Sequence, residues 1–337
     1  MGLRPWCVGT RRDQRCQRLM RQRRVHAVRS RCRSSWEGDP KMRVDVEFSS
    51  GATILRGWLY RPEDVSEPVP LVVMTHGFAG VKEWVAPFAE KFSEAGLACL
   101  VYDHPGFGTS EGEPRFEVDP PAQIEGYRDA ITFAQALDGV DPARIGVWGT
   151  SFSGGHVLVV AATDRRVRAV VSQVPTTNGW ANFRSLVPSV VHPLMHAAIA
   201  ADRQARAAGK PPLTIKAASD DPTEMVAMPG LEAYQWLMAN GPQVPTWRNE
   251  VTVSSIDKFQ SYAPESFVRR VSPTPLLMIV ADQDTLAPAD IALASYAEAL
   301  EPKQLELISG PHFAVYDEEF ERASSVARDF LVAALNA

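Results

Sequence analysis

The sequence predicts an α/β fold, a mostly parallel sheet with helices on both faces and a cap inserted between two strands, and three observations carry that prediction. From residue 43 onward short apolar runs alternate with amphipathic stretches, the rhythm of strand and crossover helix. Several runs, "VPLVVMTHG" above all, are apolar throughout, as strands covered on both faces must be. Between Pro175 and Pro275 the rhythm stops for about a hundred residues and then resumes. The 337 residues can bury an ample core in one large domain or two smaller ones.

In chain order, "RVDVEF" and "TILRGWLY" alternate with period two around "SSGA", as an antiparallel hairpin does. The strand "VPLVVMTHG" is followed by a helix carrying Trp84, Phe88, Phe92 and Ala95 on one face, closed by Gly96. "LACLVYD" is the next strand, and Ile124, Tyr127, Ile131, Ala134 and Leu137 mark the next helix. "RIGVWG" then leads into a small-residue cluster, a helix over His156 to Ala162 and the strand "VRAVVSQV". In the interrupted region, about 175–275, "PSVVHPLMHAAIAADRQARAAGKPP" is the clearest helix, and its Pro, Trp and Met content indicates a packed cap rather than a linker. "TPLLMIVADQD", the helix "ADIALASYAEAL", the strand "QLELIS" and a helix ending "ARDFLVAALNA" complete the domain, which spans 41–337.

Charge divides the chain. The net charge is -5, yet residues 1–40 hold eleven Arg and no Lys against Asp13, Glu37 and Asp39, a net of +8 that leaves -13 for the rest. This leader lacks the apolar core of a secretory signal. A disordered tail, an Arg-rich transit peptide and translated sequence ahead of a start near Met42 are its three readings. Its Arg cluster has no interleaved aromatics of the kind that stack on bases, so nucleic acid is not an expected partner. Cys7, Cys16 and Cys32 in the leader match no zinc or disulfide spacing, and Cys99, in an apolar run, reads as a buried hydrophobe suited to a reducing cytoplasm. No apolar run is long enough for a membrane helix.

The chemistry centres on "RIGVWGTSFSGGHVLVV", which contains Ser151 and Ser153. A serine hydroxyl attacks a carbonyl only when a base takes its proton and an acid orients that base. A nucleophile at a sharp strand-to-helix turn needs small residues two before and two after it, and both serines meet that condition. Strand register selects Ser151: the apolar run ends at Trp148, Gly149 and Thr150 make the turn, and Ser153 begins the helix as the small residue the turn requires. The usual G-x-S-x-G has become G-x-S-x-S-G. "VADQDTLAP" offers Asp282 and Asp284 as the acid; Asp284, with Pro288 four residues on, is preferred, and Asp282 is then a helix-capping or loop-forming carboxylate. His312, in the loop after "QLELIS", is the only histidine beyond Asp284 and is the expected base. Backbone N–H groups of Phe78, in "THGFAG", and Phe152 are the expected oxyanion donors.

Together "THGFAG", "YDHPGFGTSEG", "WGTSFSGG", "ADQDTLAP" and "GPHFAVY" resemble the α/β-hydrolase superfamily, within it the dienelactone-hydrolase-related and polyketide-transferase-like hydrolases. The resemblance implies an α/β-hydrolase fold and a serine hydrolase that cleaves a carboxylic ester or thioester through an acyl-enzyme. Acyl transfer on the same triad, and a hydrolase-fold binding protein without catalysis, are the two alternatives. His104 stands where many relatives carry Arg and is either a substrate contact or a packing residue. Trp180, Met195, Trp236 and Trp247 are the candidate cap walls. No H-E-x-x-H or phosphate-loop motif occurs, and Asp does not stand at position 151 as a dehalogenase would require, so no metal or other cofactor is expected. The expected partner is a small acyl ester or thioester, not nucleic acid or membrane. The sequence leaves the oligomeric state open, a homodimer included.

Overall fold

A computed structural model describes residues 43–63 and 66–337. The leader expectations, for a disordered tail, transit peptide or misplaced start, lie outside the described residues. Eight strands form one sheet in the order β1-β2-β4-β3-β5-β6-β9-β10. They are β1 (Arg43–Ser50), β2 (Thr53–Tyr60), β3 (Val69–Thr75), β4 (Ala98–Tyr102), β5 (Val140–Thr150), β6 (Val167–Gln173), β9 (Leu276–Ala281) and β10 (Lys303–Ile308). The first two strands pair antiparallel around Gly51, whose φ of 58° suits the turn, β2 runs antiparallel to β4, and the other neighbours are parallel.

Continuous apolar strands put alternate side chains into two cores. Leu71 and Val73 of β3 join Leu100, Val147 and Met278 on one face, under α2 (Pro120–Gln135) and α3 (Phe152–Thr163). Val72 and Met74 join Phe88, Phe92, Trp148 and Leu331 on the other, under α1 (Ala86–Glu94) and α9 (Phe320–Leu335). Burying a large aliphatic or aromatic side chain contributes about 1.5–3 kcal/mol, so strands buried on both faces fix the register. The helix α8 (Ala289–Glu298) packs beside β9.

Between β6 and β9 lie α4 (Gly179–Leu186), α5 (His192–Ala207), α6 (Leu231–Asn240), α7 (Val253–Gln260) and a ribbon of β7 (Thr214–Ile215) with β8 (Val251–Thr252). Their apolar faces bury against the loops at the carboxyl ends of the strands: Phe78 packs with Phe183, Met195 and Phe259. After β3 the chain crosses to opposite sides for β4 and β5, and beside such a reversal a crevice opens at the strand ends.

Candidate active site

Four strand ends converge on Ser151. β5 runs to Thr150, two residues beyond the sequence expectation, because Gly149 and Thr150 keep parallel pairing with Ser172 and Gln173 of β6. The helix α3 likewise starts at Phe152, earlier than expected, so the turn is a single residue. That residue is Ser151, at φ 57° and ψ -120°. A non-glycine residue there carries about 1–3 kcal/mol of strain. Three hydrogen bonds hold it: Ser151 N–H donates to Gln173 O at 2.8 Å, and Thr176 and Gly154 N–H donate to Ser151 O at 3.0 and 2.9 Å. A Cβ on Gly149 would fall 2.2 Å from Ser153 O, which is why the position two residues before the turn must be glycine.

His312 follows β10. Its Nε2 lies 3.1 Å from Ser151 Oγ and its Nδ1 2.6 Å from Asp284 Oδ2. Asp284, just past β9, also accepts the Leu286 and Ala287 N–H groups on Oδ1 at 2.9 and 2.7 Å. A carboxylate so held favours the tautomer with its proton on Nδ1, which leaves the Nε2 lone pair facing Ser151 Oγ. Asp282 accepts Gly310 N–H at 2.9 Å in the loop before His312, the loop-forming one of the two parts considered for it.

The loop after β3 passes against the turn. A Cβ on Gly77 would lie 2.7 Å from Ser151 Cβ, so only glycine permits the approach. Among the described residues, no group accepts the N–H of Phe78 or of Phe152, the first residue of α3. Both N–H groups thus lack an acceptor among those residues, and the helix N-terminus at Phe152 favours negative charge beside it.

Ser153 is fully buried inside α3 and out of reach as a nucleophile. Its hydroxyl donates to His76 O at 2.5 Å and lies 2.8 Å from His104 Nε2. His104 is thus a buried packing residue and lines neither cleft beside Ser151. A third buried histidine, His156, is hydrogen-bonded to Gln123 Oε1 at 2.9 Å and to Tyr262 Oη at 2.7 Å. Burial lowers the pKa of all three: His76 is lowered despite Asp103 nearby, His104 well below its ordinary value, and His156 to about 3. Burial also pushes the Cys99 thiol up, as befits an inert hydrophobe.

Of the expected cap walls, Trp236 and Met195 line clefts beside Ser151. Trp180 instead stacks on Phe183 with 45% of its surface exposed, and Trp247 is buried, its Nε1–H donating to Ala79 O at 3.1 Å. Two further links tie α6 to the histidine loop: Phe313 N–H donates to Glu232 Oε1 at 3.3 Å, and Trp236 Nε1–H to Asp317 Oδ2 at 3.0 Å. Periodicity gave no signal for these links, which join residues far apart in sequence. Among the described residues, no group of three or more His, Cys, Asp or Glu side chains is placed to hold a metal, and no helix is long and apolar enough to cross a membrane.

Residues 51–314 match the family described as X-Pro dipeptidyl-peptidase (S15 family). The chain is 35% identical over 295 residues to a quorum-quenching protein, AidA, of Acinetobacter baumannii, covering 87% of this chain and 95% of that one. It is 33% identical over 277 residues to a thiohydrolase of Eupenicillium brefeldianum, covering 80% and 86%. Among solved structures, the α/β hydrolase GrgF from Penicillium superposes with a TM-score of 0.77 at 29% identity, covering 88% of this chain and all of that one.

Proposed function

The chain belongs to the S15 family of α/β-hydrolases, and from that premise we propose that it cleaves a carboxylic ester or thioester through an acyl-enzyme on Ser151. The observation that carries the proposal is the hydrogen-bonded line from Ser151 through His312 to Asp284 at a strained turn. Relatives named thiohydrolase support the bond type, and relatives named polyketide transferase support transfer of the same acyl group to another acceptor.

In this mechanism Ser151 Oγ attacks the carbonyl carbon as its proton passes to His312 Nε2. Asp284 holds the imidazole by Nδ1 and stabilises the imidazolium. The N–H groups of Phe78 and Phe152 bind the oxyanion, each worth about 3 kcal/mol to the transition state. His312 hands its proton to the leaving group, and water or another acceptor, deprotonated by His312, releases the acyl group.

Residues 41–337 form the catalytic unit, with the segment from about 175 to 275 as its cap. A cytoplasmic place suits the buried Cys99 thiol. Ser151→Ala is expected to lower kcat by about 10⁶-fold. A fluorophosphonate should label Ser151 in the folded wild type; absence of labelling would favour a non-catalytic binding protein.

A further inference from the structure

Ser151 stands at a waist between two clefts, and only one of them contains the base. The first, of about 540 Å³, is walled chiefly by cap residues, among them Phe183, Met195, Ile256 and Phe259, with Asn182 and Thr176 as polar lining. The second, of about 410 Å³, contains His312 and is walled by Trp84, Trp236, Phe313 and Tyr316. Phe78, Met228 and Leu286 join Ser151 in lining both.

We propose that the cleft holding His312 is a subsite for an uncharged aromatic alcohol, and that the other takes an uncharged aliphatic acyl group. The proposal rests on the assignment of Ser151 and His312 made above. Proton traffic sets the sides: the base must give its proton to the leaving oxygen and take one from the acceptor oxygen, so the alcohol belongs beside His312. The walls set the chemistry. Trp236 stacks on Phe313 with centroids 4.7 Å apart at 13°, and Trp84 meets Trp236 edge-on at 4.9 Å and 84°. The rings hold one another in place, and a flat apolar group extends the same stacked and edge-on array. Trp84 Nε1–H is buried with no partner among the described residues, a donor that an oxygen of the bound alcohol could satisfy.

Charge points the same way. Among the described residues, no Asp, Glu, Lys or Arg lines either cleft. The α-ammonium of a dipeptide, which needs hydrogen-bond acceptors and a counter-ion, would lose its hydration there with no charged side chain among the lining residues to replace it. When the alcohol acts as acceptor, its oxygen bonds to the acyl carbon and its proton passes to His312 Nε2. The bond from Ser151 Oγ to that carbon then breaks, and Oγ takes the proton back. The products are the new ester and free enzyme, with nothing oxidised or reduced.

The test compares kcat/KM for phenethyl, n-hexyl and choline hexanoates and for an Ala-Pro anilide. The phenethyl ester should lead the hexyl ester by about tenfold, the worth of one or two ring contacts. Trp236→Ala should bring that ratio near one, whereas Ile256→Ala should shift preference from hexanoyl toward decanoyl esters with the ratio kept. Independently of any variant, phenethyl alcohol should divert more acyl-enzyme from water into ester than hexanol at equal concentration. Equal phenethyl and hexyl values in both assays, or preference for choline or the dipeptide, would overturn the subsite. Fluorophosphonate labelling of Ser151 separates the two failures: labelled enzyme without phenethyl preference loses the subsite alone, and unlabelled, inactive enzyme loses the triad assignment too.

Discussion

The hydroxyl of Ser153 has one proton to give, and that fixes the buried histidines. His76 O can only accept, so the Ser153 proton goes there, and His104 must donate from Nε2. His104 Nδ1 is then a bare lone pair, which agrees with its lacking a partner among the described residues. The His104 N–H in turn donates to His76 Nε2 at 3.2 Å, so His76 carries its proton on Nδ1, directed to Gly77 O at 2.9 Å. Ser153 therefore clamps the turn to the loop that presents the Phe78 N–H, beyond being small. Ser153→Ala and Ser153→Gly should each lower kcat by about tenfold with KM nearly unchanged, since a lost buried hydrogen bond costs about 1–3 kcal/mol. Full kcat in Ser153→Gly, which restores the usual motif, would show the clamp to be idle. The grouping of Ser151, Asp284 and His312 was legible because each follows an apolar strand in a fixed order. The clamp was not, because its partners come from three strand ends that only the folded sheet brings together.

At the scale of elements, the crossovers at the heart of the sheet are joined by a buried ion pair. Asp103, at the end of β4, accepts Lys82 Nζ at 2.6 Å and Lys82 N–H at 2.8 Å, and Thr109 N–H donates to it at 2.9 Å. Lys82 is 2% exposed and Asp103 fully buried. Removing Asp103 leaves Lys82 Nζ with the longer contact to Glu83 Oε1, at 3.5 Å, a loss of about 3–5 kcal/mol, whereas replacing both members of the pair with apolar groups costs far less. Asp103→Ala should lower unfolding stability by that amount in urea, and Asp103→Leu combined with Lys82→Met should recover most of it. If the single and double variants lose equally, the pair is not coupled. The sequence showed Asp103 only as a strand-end residue in a glycine-rich loop, since nothing in its spacing to Lys82 signals contact. Sheet and flanking helices were legible because burial on both faces, or on one helical stripe, imposes a period. In the cap only α5, sixteen residues long, stood out, while α4, α6 and α7 span only eight to ten residues each.

Across the whole molecule, charge and protonation make separate demands. Removing residues 1–40 takes the chain from -5 to -13 while sparing every residue proposed for catalysis, so kcat/KM should persist in the truncated protein, and loss of activity would give the leader a part in catalysis. The second demand comes from the interior. His76, His104 and His156 lie buried as a group, with ring centroids 4.8 Å apart for the first pair and 5.6 Å for the second. Each has its pKa lowered from the ordinary 6.5 by burial. Between 6.5 and the lowered value, the unfolded chain binds protons that the native protein refuses. Their stabilisation is thus whole above about pH 6.5 and is lost as pH falls, at up to about 1.4 kcal/mol per pH unit for each histidine. For His156 the loss continues down to about pH 3. Urea unfolding between about pH 7.5 and 5 should show stability falling by more than one histidine's worth per unit. His156→Gln should reduce that slope by one proton, and an unchanged slope would mean that His156 takes up its proton without unfolding the protein.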